Sequence, residues 1–304
     1  MISLLQTDRN KKELVISVPE SWGGLTIEQL LRNVWQLPKK MVHQYRMEKS
    51  IRINKKPASF QTIIEKGDRL TIPVSIENES KIDPTDLDIP ILYEDEHILI
   101  ANKPANMATH PNEPGDRNTL LNGIVHYLIK KGEAPYIQHV RRLDKDTTGA
   151  ILLAKHPLAK SLFDRLLNER KVERMYTALV TGRLQKKTGT IDANIGRDRH
   201  HGTRRRVSKT GKEAITHYQV IGFDPERNLT QVLCKLETGR THQIRVHFAH
   251  IGHPLAGDTL YGGKPIFPRQ ALHAKYLSFK HPITLEKIQV EAPYLDHPPI
   301  FLDQ

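Results

Sequence analysis

The densest chemical cluster in the chain is Arg141-Arg142-Leu143-Asp144-Lys145-Asp146-Thr147-Thr148-Gly149, in which cations flank the carboxylate of Asp144. Cations beside a carboxylate favour its charged form, which suits a nucleophile or a base rather than a proton donor. Asp146-Thr147-Thr148-Gly149 carries turn chemistry, because Asp and Thr side chains bond nearby backbone N–H groups. Two readings compete here: a catalytic carboxylate on a loop, and a surface turn bearing solvated charges.

The same residues fit Asp-x-Asp-x-Thr, the pattern of Mg²⁺-dependent phosphatases of the haloacid-dehalogenase type, with Asp144 and Asp146 as the working pair. That pattern normally follows a hydrophobic strand, and His139-Val140-Arg141-Arg142 is a poor one. Gly257-Asp258 could supply a distant metal ligand, a weak signal.

A second cluster runs from Gly239 to His247 as Gly-Arg-Thr-His-Gln-Ile-Arg-Val-His. Thr241 is a plausible N-cap, Ile244, His247, Phe248 and Ile251 share one helical face, and Gly252 with Pro254 ends the helix. Arg240 lies at the helix start, where unsatisfied N–H groups favour an anion. The spacing of His242, His247, His250 and His253 includes i,i+3 pairs, but no zinc-protease glutamate or cysteine accompanies them, so no metal is expected. A third cluster is the basic stretch 197–212, containing Arg204, Arg205 and Arg206 between Gly202 and Gly211. It reads as a flexible loop that an RNA backbone could order.

Charge supports the RNA reading. The 304-residue chain carries 46 Lys and Arg against 34 Asp and Glu, a net +12, which favours a polyanionic partner. No phosphate-binding glycine loop and no serine nucleophile elbow is present, so a nucleotide cofactor and serine hydrolysis lack support. One cysteine, Cys234, in an apolar run, implies a core residue in a reducing compartment. With no signal-peptide or membrane-length apolar run, a cytoplasmic protein without membrane partners is expected.

The elements that must position these clusters fall into three blocks. In residues 11–74, Leu25, Leu30, Leu31 and Val34 predict a helix capped by Thr26 and ended by Pro38, and a second helix follows over 39–47. Short strands are expected at 50–54 and 70–72, with turns at 54–57 and Gly67-Asp68. Residues 75–89 read as a linker, and 90–304 as the catalytic domain. Within the latter, 150–154 predicts a buried strand. Pro157 opens a helix with Leu158, Leu162, Leu166, Phe163 and Leu167 on one face. Tyr176–Val180 is strand-like, and 214–223 with 229–236 forms an antiparallel hairpin. The fold class is α+β, with a mainly antiparallel sheet.

In order along the chain, these motifs resemble the RluA/RluD type of pseudouridine synthase acting on large-subunit ribosomal RNA. Arg142–Gly149 is similar to the family signature H-R-L-D-x-D-T-S-G, with Arg141 in place of its histidine. Tyr93-Glu94-Asp95 leading to Asn102-Lys103-Pro104-Ala105 is similar to its opening, with Asn106 where glycine is usual. Tyr176–Val180, Gly211–Thr216, Gly239–His247, Gly252–Pro254, Gly257–Gly262 and Leu272–Ala274 follow in the family's order. Residues 11–74 look like a divergent S-four-like RNA-binding domain. The resemblance implies an isomerase that flips a uridine and rejoins its base through carbon, without metal or organic cofactor. Asp144 would be the essential carboxylate, Arg245 its partner, and Tyr176 the stacking face with a possible part in proton transfer. Arg142, Arg204, Arg205, Arg206 and Arg240 would contact RNA, and a monomer is expected.

Overall fold

The computed structural model describes residues 7–9, 13–74 and 82–301. Residues 11–12 of the expected first block and 75–81 of the expected linker lie outside the described residues.

Five short strands, β1 (Thr7–Arg9), β2 (Glu13–Ser17), β3 (Arg52–Ile53), β4 (Lys56–Pro57) and β5 (Arg69–Pro73), form an antiparallel sheet in the order β1-β2-β5-β3-β4. Thr26 caps the first helix in a reciprocal capping box with Gln29. Only Ile27–Gln29 (α1) is regular, however; Leu30–Val34 is a π turn. Its wide bonds, Trp35 N to Leu30 O and Leu37 N to Leu31 O, carry Trp35 and Leu37 into the core, which helical spacing alone does not reveal. Pro38 caps α2 (Lys39–Glu48).

The second sheet has ten strands: β6 (Ile91–Glu94), β7 (Ile98–Lys103), β8 (Gln138–His139), β9 (Thr148–Ala154), β10 (Glu173–Thr181), β11 (Thr188–Asp192), β14 (Ile215–Asp224), β15 (Leu229–Leu236), β16 (Leu272–Lys280) and β17 (Lys287–Glu291). A separate ribbon, β12 (Ile195–Arg197) with β13 (Arg205–Val207), stands where a flexible basic loop was expected. The main path runs β11-β14-β15-β10-β16-β9-β7-β6, antiparallel throughout except for the central pair β16 and β9. The fold is therefore α+β, as the sequence indicates.

Alternation along β7 and β9 builds two cores. Leu99, Ala101, Ile151 and Leu153 pack under α3 (Leu120–Lys130), while Ile98, Ile100 and Leu152 pack under α4 (Pro157–Asn168). Pro157 does open α4, behind a His156 cap. Its apolar residues do not form one face, as the spacing suggested: Phe163 and Leu166 face the large sheet, while Leu158 and Leu162, with Ile283, enter the N-terminal core. A helix buried on two sides has no single apolar stripe to read. Cys234 is buried in the core, and burial pushes its thiol well above the usual range.

At the parallel junction Gly149 faces Ala274 with φ +109, and a Cβ there would lie 2.3 Å from Ala274 O. Only glycine lets the strand following Asp144 enter the sheet at this point.

Candidate active site

Asp144 lies in the loop between β8 and β9. Its backbone carbonyl accepts Thr147 N–H at 3.1 Å, closing a turn. Buried side chains fix this loop from several directions. Lys103 Nζ donates to Pro104 O, Met107 O and Lys145 O at 2.7, 2.8 and 2.8 Å. Burial pushes the Lys103 ammonium down to about 7, against the pull of Asp146 and Asp144. Arg269 Nη1 donates to Asp146 O at 3.1 Å, and its Nε and Nη2 hold Asp296 at 2.8 and 2.6 Å. Thr109 accepts Leu143 N–H and donates to Leu143 O. The carbonyls of Leu143, Asp144, Lys145 and Asp146 thus all have partners within the protein, which holds the loop without using the Asp144 carboxylate.

Arg245 reaches that carboxylate from α5 (Gln243–His250), with Nη1 3.1 Å from Asp144 Oδ2. Its remaining nitrogens are held by Asp258, Nε to Oδ2 at 2.7 Å and Nη2 to Oδ1 at 2.9 Å. Burial alone would lower the Arg245 pKa, but Asp258 and Asp144 together raise it above the usual range. Tyr261 lies under the guanidinium, its ring centroid 5.1 Å from Cζ.

Tyr176 on β10 is buried beside the pair, and burial pushes its phenol up, so it stays a neutral O–H. Tyr176, Leu143, Leu236, Ile244 and Leu272 give a cleft an apolar wall, and Arg142, Asp144, Arg240, His242 and Arg245 supply its polar lining. The structure brings five of the eight residues picked out by sequence, Asp144, Tyr176, Arg245, Arg142 and Arg240, to this one cleft. The other three are outside it, on the β12–β13 ribbon. Arg206 is exposed, Arg204 is paired with Asp198 at 2.7 Å, and Arg205 donates its backbone N–H to Tyr261 Oη at 2.9 Å.

Helix α5 begins differently from the sequence expectation. His242, not Thr241, is its N-cap, with φ 58 and no side-chain cap bond. His247 is buried between Thr216 Oγ1 and Ala193 O, both at 2.9 Å, a structural role. Among the described residues no group of three or more His, Cys, Asp or Glu could hold a metal ion.

Sequence reasoning missed several residues. Asp258 stands in the sequence as part of the Gly257–Gly262 motif and as a weak metal-ligand signal, neither of which reveals that it holds Arg245. Lys103 and Arg269 reveal their role only through backbone carbonyls, which no side-chain pattern records. Arg141 and Arg174 crowd Gly239: a Cβ there would lie 3.0 Å from Arg141 Nε and 2.8 Å from Arg174 Nη1. Among the described residues neither arginine is ion-paired, so the side of the cleft is strongly positive.

Residues 97–250 match the sequence model of the family described as RNA pseudouridylate synthase. The chain belongs to this family. As an RNA pseudouridylate synthase it is an isomerase that converts uridine to pseudouridine in RNA. Residues 14–70 match the RluD ribosomal pseudouridine synthase N-terminal domain. The synthase is 44% identical to "Uncharacterized RNA pseudouridine synthase YhcT" of Bacillus subtilis, over 92% of this chain and 93% of that one. It is 34% identical to "Ribosomal large subunit pseudouridine synthase D" of Vibrio parahaemolyticus, over 93% of this chain and 91% of that one. Among solved structures, Human RNA Pseudouridylate Synthase Domain Containing 1 superposes with a TM-score of 0.57 at 28% identity, covering 68% of this chain and 84% of that one. Among the described residues of the synthase, no helix is long and apolar enough to cross a membrane.

Proposed function

We propose that this pseudouridine synthase modifies uridines of large-subunit ribosomal RNA, with Asp144 as its catalytic carboxylate. The observation that carries the catalytic assignment is the 3.1 Å contact from Arg245 Nη1 to Asp144 Oδ2, made by a guanidinium that Asp258 already fixes. The RNA assignment rests on curated relatives, including those of Vibrio parahaemolyticus and Haemophilus influenzae, named for the large ribosomal subunit.

In this reading the target uridine leaves its stack and enters the cleft against Tyr176. The C1′–N1 bond breaks, C1′–C5 forms, C5 loses its proton and N1 gains one. Reactant and product are isomers, so no electrons enter or leave and the chemistry requires no redox cofactor. Asp144 acts either by attacking the nucleoside or by drawing a proton from the ribose; Arg245 orients it for both. Arg142 takes the place of the flipped base, while Arg240 and the ribbon arginines Arg204, Arg205 and Arg206 meet phosphates. The N-terminal block, residues 11–74, adds RNA affinity, and the catalytic chemistry resides in 90–304. We assign a monomer working in the cytoplasm without a metal.

Tritium release from RNA labelled at uracil C5 tests this. Asp144→Asn abolishes release and keeps RNA affinity, while Asp146→Asn, whose backbone carbonyl is what Arg269 anchors, retains most activity. EDTA leaves the wild type unchanged. Activity in Asp144→Asn, or an EDTA loss restored by Mg²⁺, overturns the assignment and favours a metal-dependent use of both aspartates.

A further inference from the structure

One side chain in the cleft is used by neither the Asp144–Arg245 pair nor Tyr176. His242 caps α5 with φ 58, a left-handed conformation that few residues other than glycine adopt and that aims its ring into the cleft lining. Its Nδ1 lies 2.8 Å from Tyr261 Oη. That oxygen already accepts the Arg205 backbone N–H at 2.9 Å, which leaves its hydroxyl hydrogen available to Nδ1. Burial pushes the His242 pKa down, so the ring is neutral near pH 7. A neutral ring that accepts at Nδ1 carries its hydrogen on Nε2.

Nε2 is 3.7 Å from Asp144 Oδ2, too far for a hydrogen bond, and among the described residues the ring's hydrogen bond is made by Nδ1 instead. A neutral N–H donor therefore stands beside the carboxylate without a hydrogen-bond partner among the described residues. Breaking C1′–N1 leaves an electron pair on the uracil ring, spread over N1, O2 and O4. Fixed donors aimed at such developing charge are strongly stabilising where water is excluded.

We propose that His242 is a further catalytic residue, donating Nε2–H to a carbonyl oxygen of the target uracil, and that Tyr261 is the residue that positions it. The proposal rests on the reading of the Asp144 cleft as the active site. The charged and titratable groups around His242 are Asp144 on its loop, Arg245 on α5, Asp258 and Tyr261 after α5, and Arg205 on the ribbon. Protonation would make His242 a cation 3.7 Å from Asp144 and draw Nε2–H to the carboxylate, away from the substrate.

Single-turnover tritium release from transcribed large-subunit ribosomal RNA, with filter binding of the same RNA, tests this. His242→Phe lowers the maximal rate about tenfold to hundredfold with affinity within about twofold. His242→Gln keeps an N–H donor, recovers much of the rate and abolishes the acidic limb of the pH–rate profile. Tyr261→Phe keeps the ring under Arg245 but removes the hydroxyl that favours neutral His242, so the acidic limb moves to higher pH. A wild-type rate in His242→Phe, with Asp144→Asn inactive, overturns this proposal alone; an active Asp144→Asn overturns the site beneath it. Should His242→Phe fail to fold, wild-type rates and pH profiles in both His242→Gln and Tyr261→Phe overturn it.

Discussion

Arg245 meets both carboxylate oxygens of Asp258 and so presents only Nη1 to Asp144. A planar guanidinium can make this fork and a third contact together; an ammonium cannot. Asp258→Asn should lower the maximal rate of uridine conversion about tenfold or more, because Arg245 is no longer fixed. Removing one partner of a buried pair should also destabilise the fold by about 3 kcal/mol, read as a lower Tm. A variant with wild-type rate and Tm would show that Asp144 is oriented without Asp258.

Gly149 should tolerate no side chain. Its φ of +109 and the 2.3 Å approach of a Cβ to Ala274 O combine backbone strain with a clash against backbone that cannot swing away. Gly149→Ala should lower stability by several kcal/mol, about 3 or more by the usual scale of such effects, and thermal melting measures it. A Tm within a degree of wild type would mean that β9 and β16 can separate without harm.

Salt dependence should separate the ribbon arginines. Each phosphate contact contributes up to about one unit to the slope of log affinity against log salt. Neutralising Arg206, which is exposed, should remove more of that slope than neutralising Arg204, whose charge is partly met by Asp198. Equal and negligible changes for Arg204, Arg205 and Arg206 together would make the ribbon a solvated surface.

Acid should weaken the fold through a buried histidine. His273 Nε2–H donates to Ala292 O at 3.1 Å and Nδ1 accepts from Thr148 Oγ1 at 2.7 Å, and burial pushes its pKa down to about 4. The unfolded chain takes up that proton near pH 6.5. Between these values the unfolded state binds the proton and the folded state does not, so stability falls as pH drops from about 6.5 to 4, by about 1.4 kcal/mol per unit. Melting curves across that range should show a shallower decline in His273→Gln than in wild type. An unchanged pH slope would place the acid sensitivity elsewhere.

The sequence by itself determined the local pieces and the chemistry they suit. Thr26 with Gln29, Pro157, the continuous apolar run through 150–154 and the Val- and Leu-rich run through 229–236 act within one element, so neighbouring residues suffice to specify them. The order of motifs likewise identified the isomerase and brought Asp144, Tyr176 and Arg245 forward as candidates, which the fold gathers in one cleft. Tertiary structure alone decided how α4 divides its apolar residues between two cores, and that a π turn buries Trp35. It also decided that Asp258, 13 residues beyond Arg245, is that residue's partner rather than a metal ligand. The reason is physical: a carboxylate's role depends on which cation the fold brings within hydrogen-bond reach, and Asp144 and Arg245, 3.1 Å apart in space, lie 101 residues apart in the chain. They meet only because α5 packs beside the loop that leads into the parallel pair β9 and β16, whose close approach depends on Gly149.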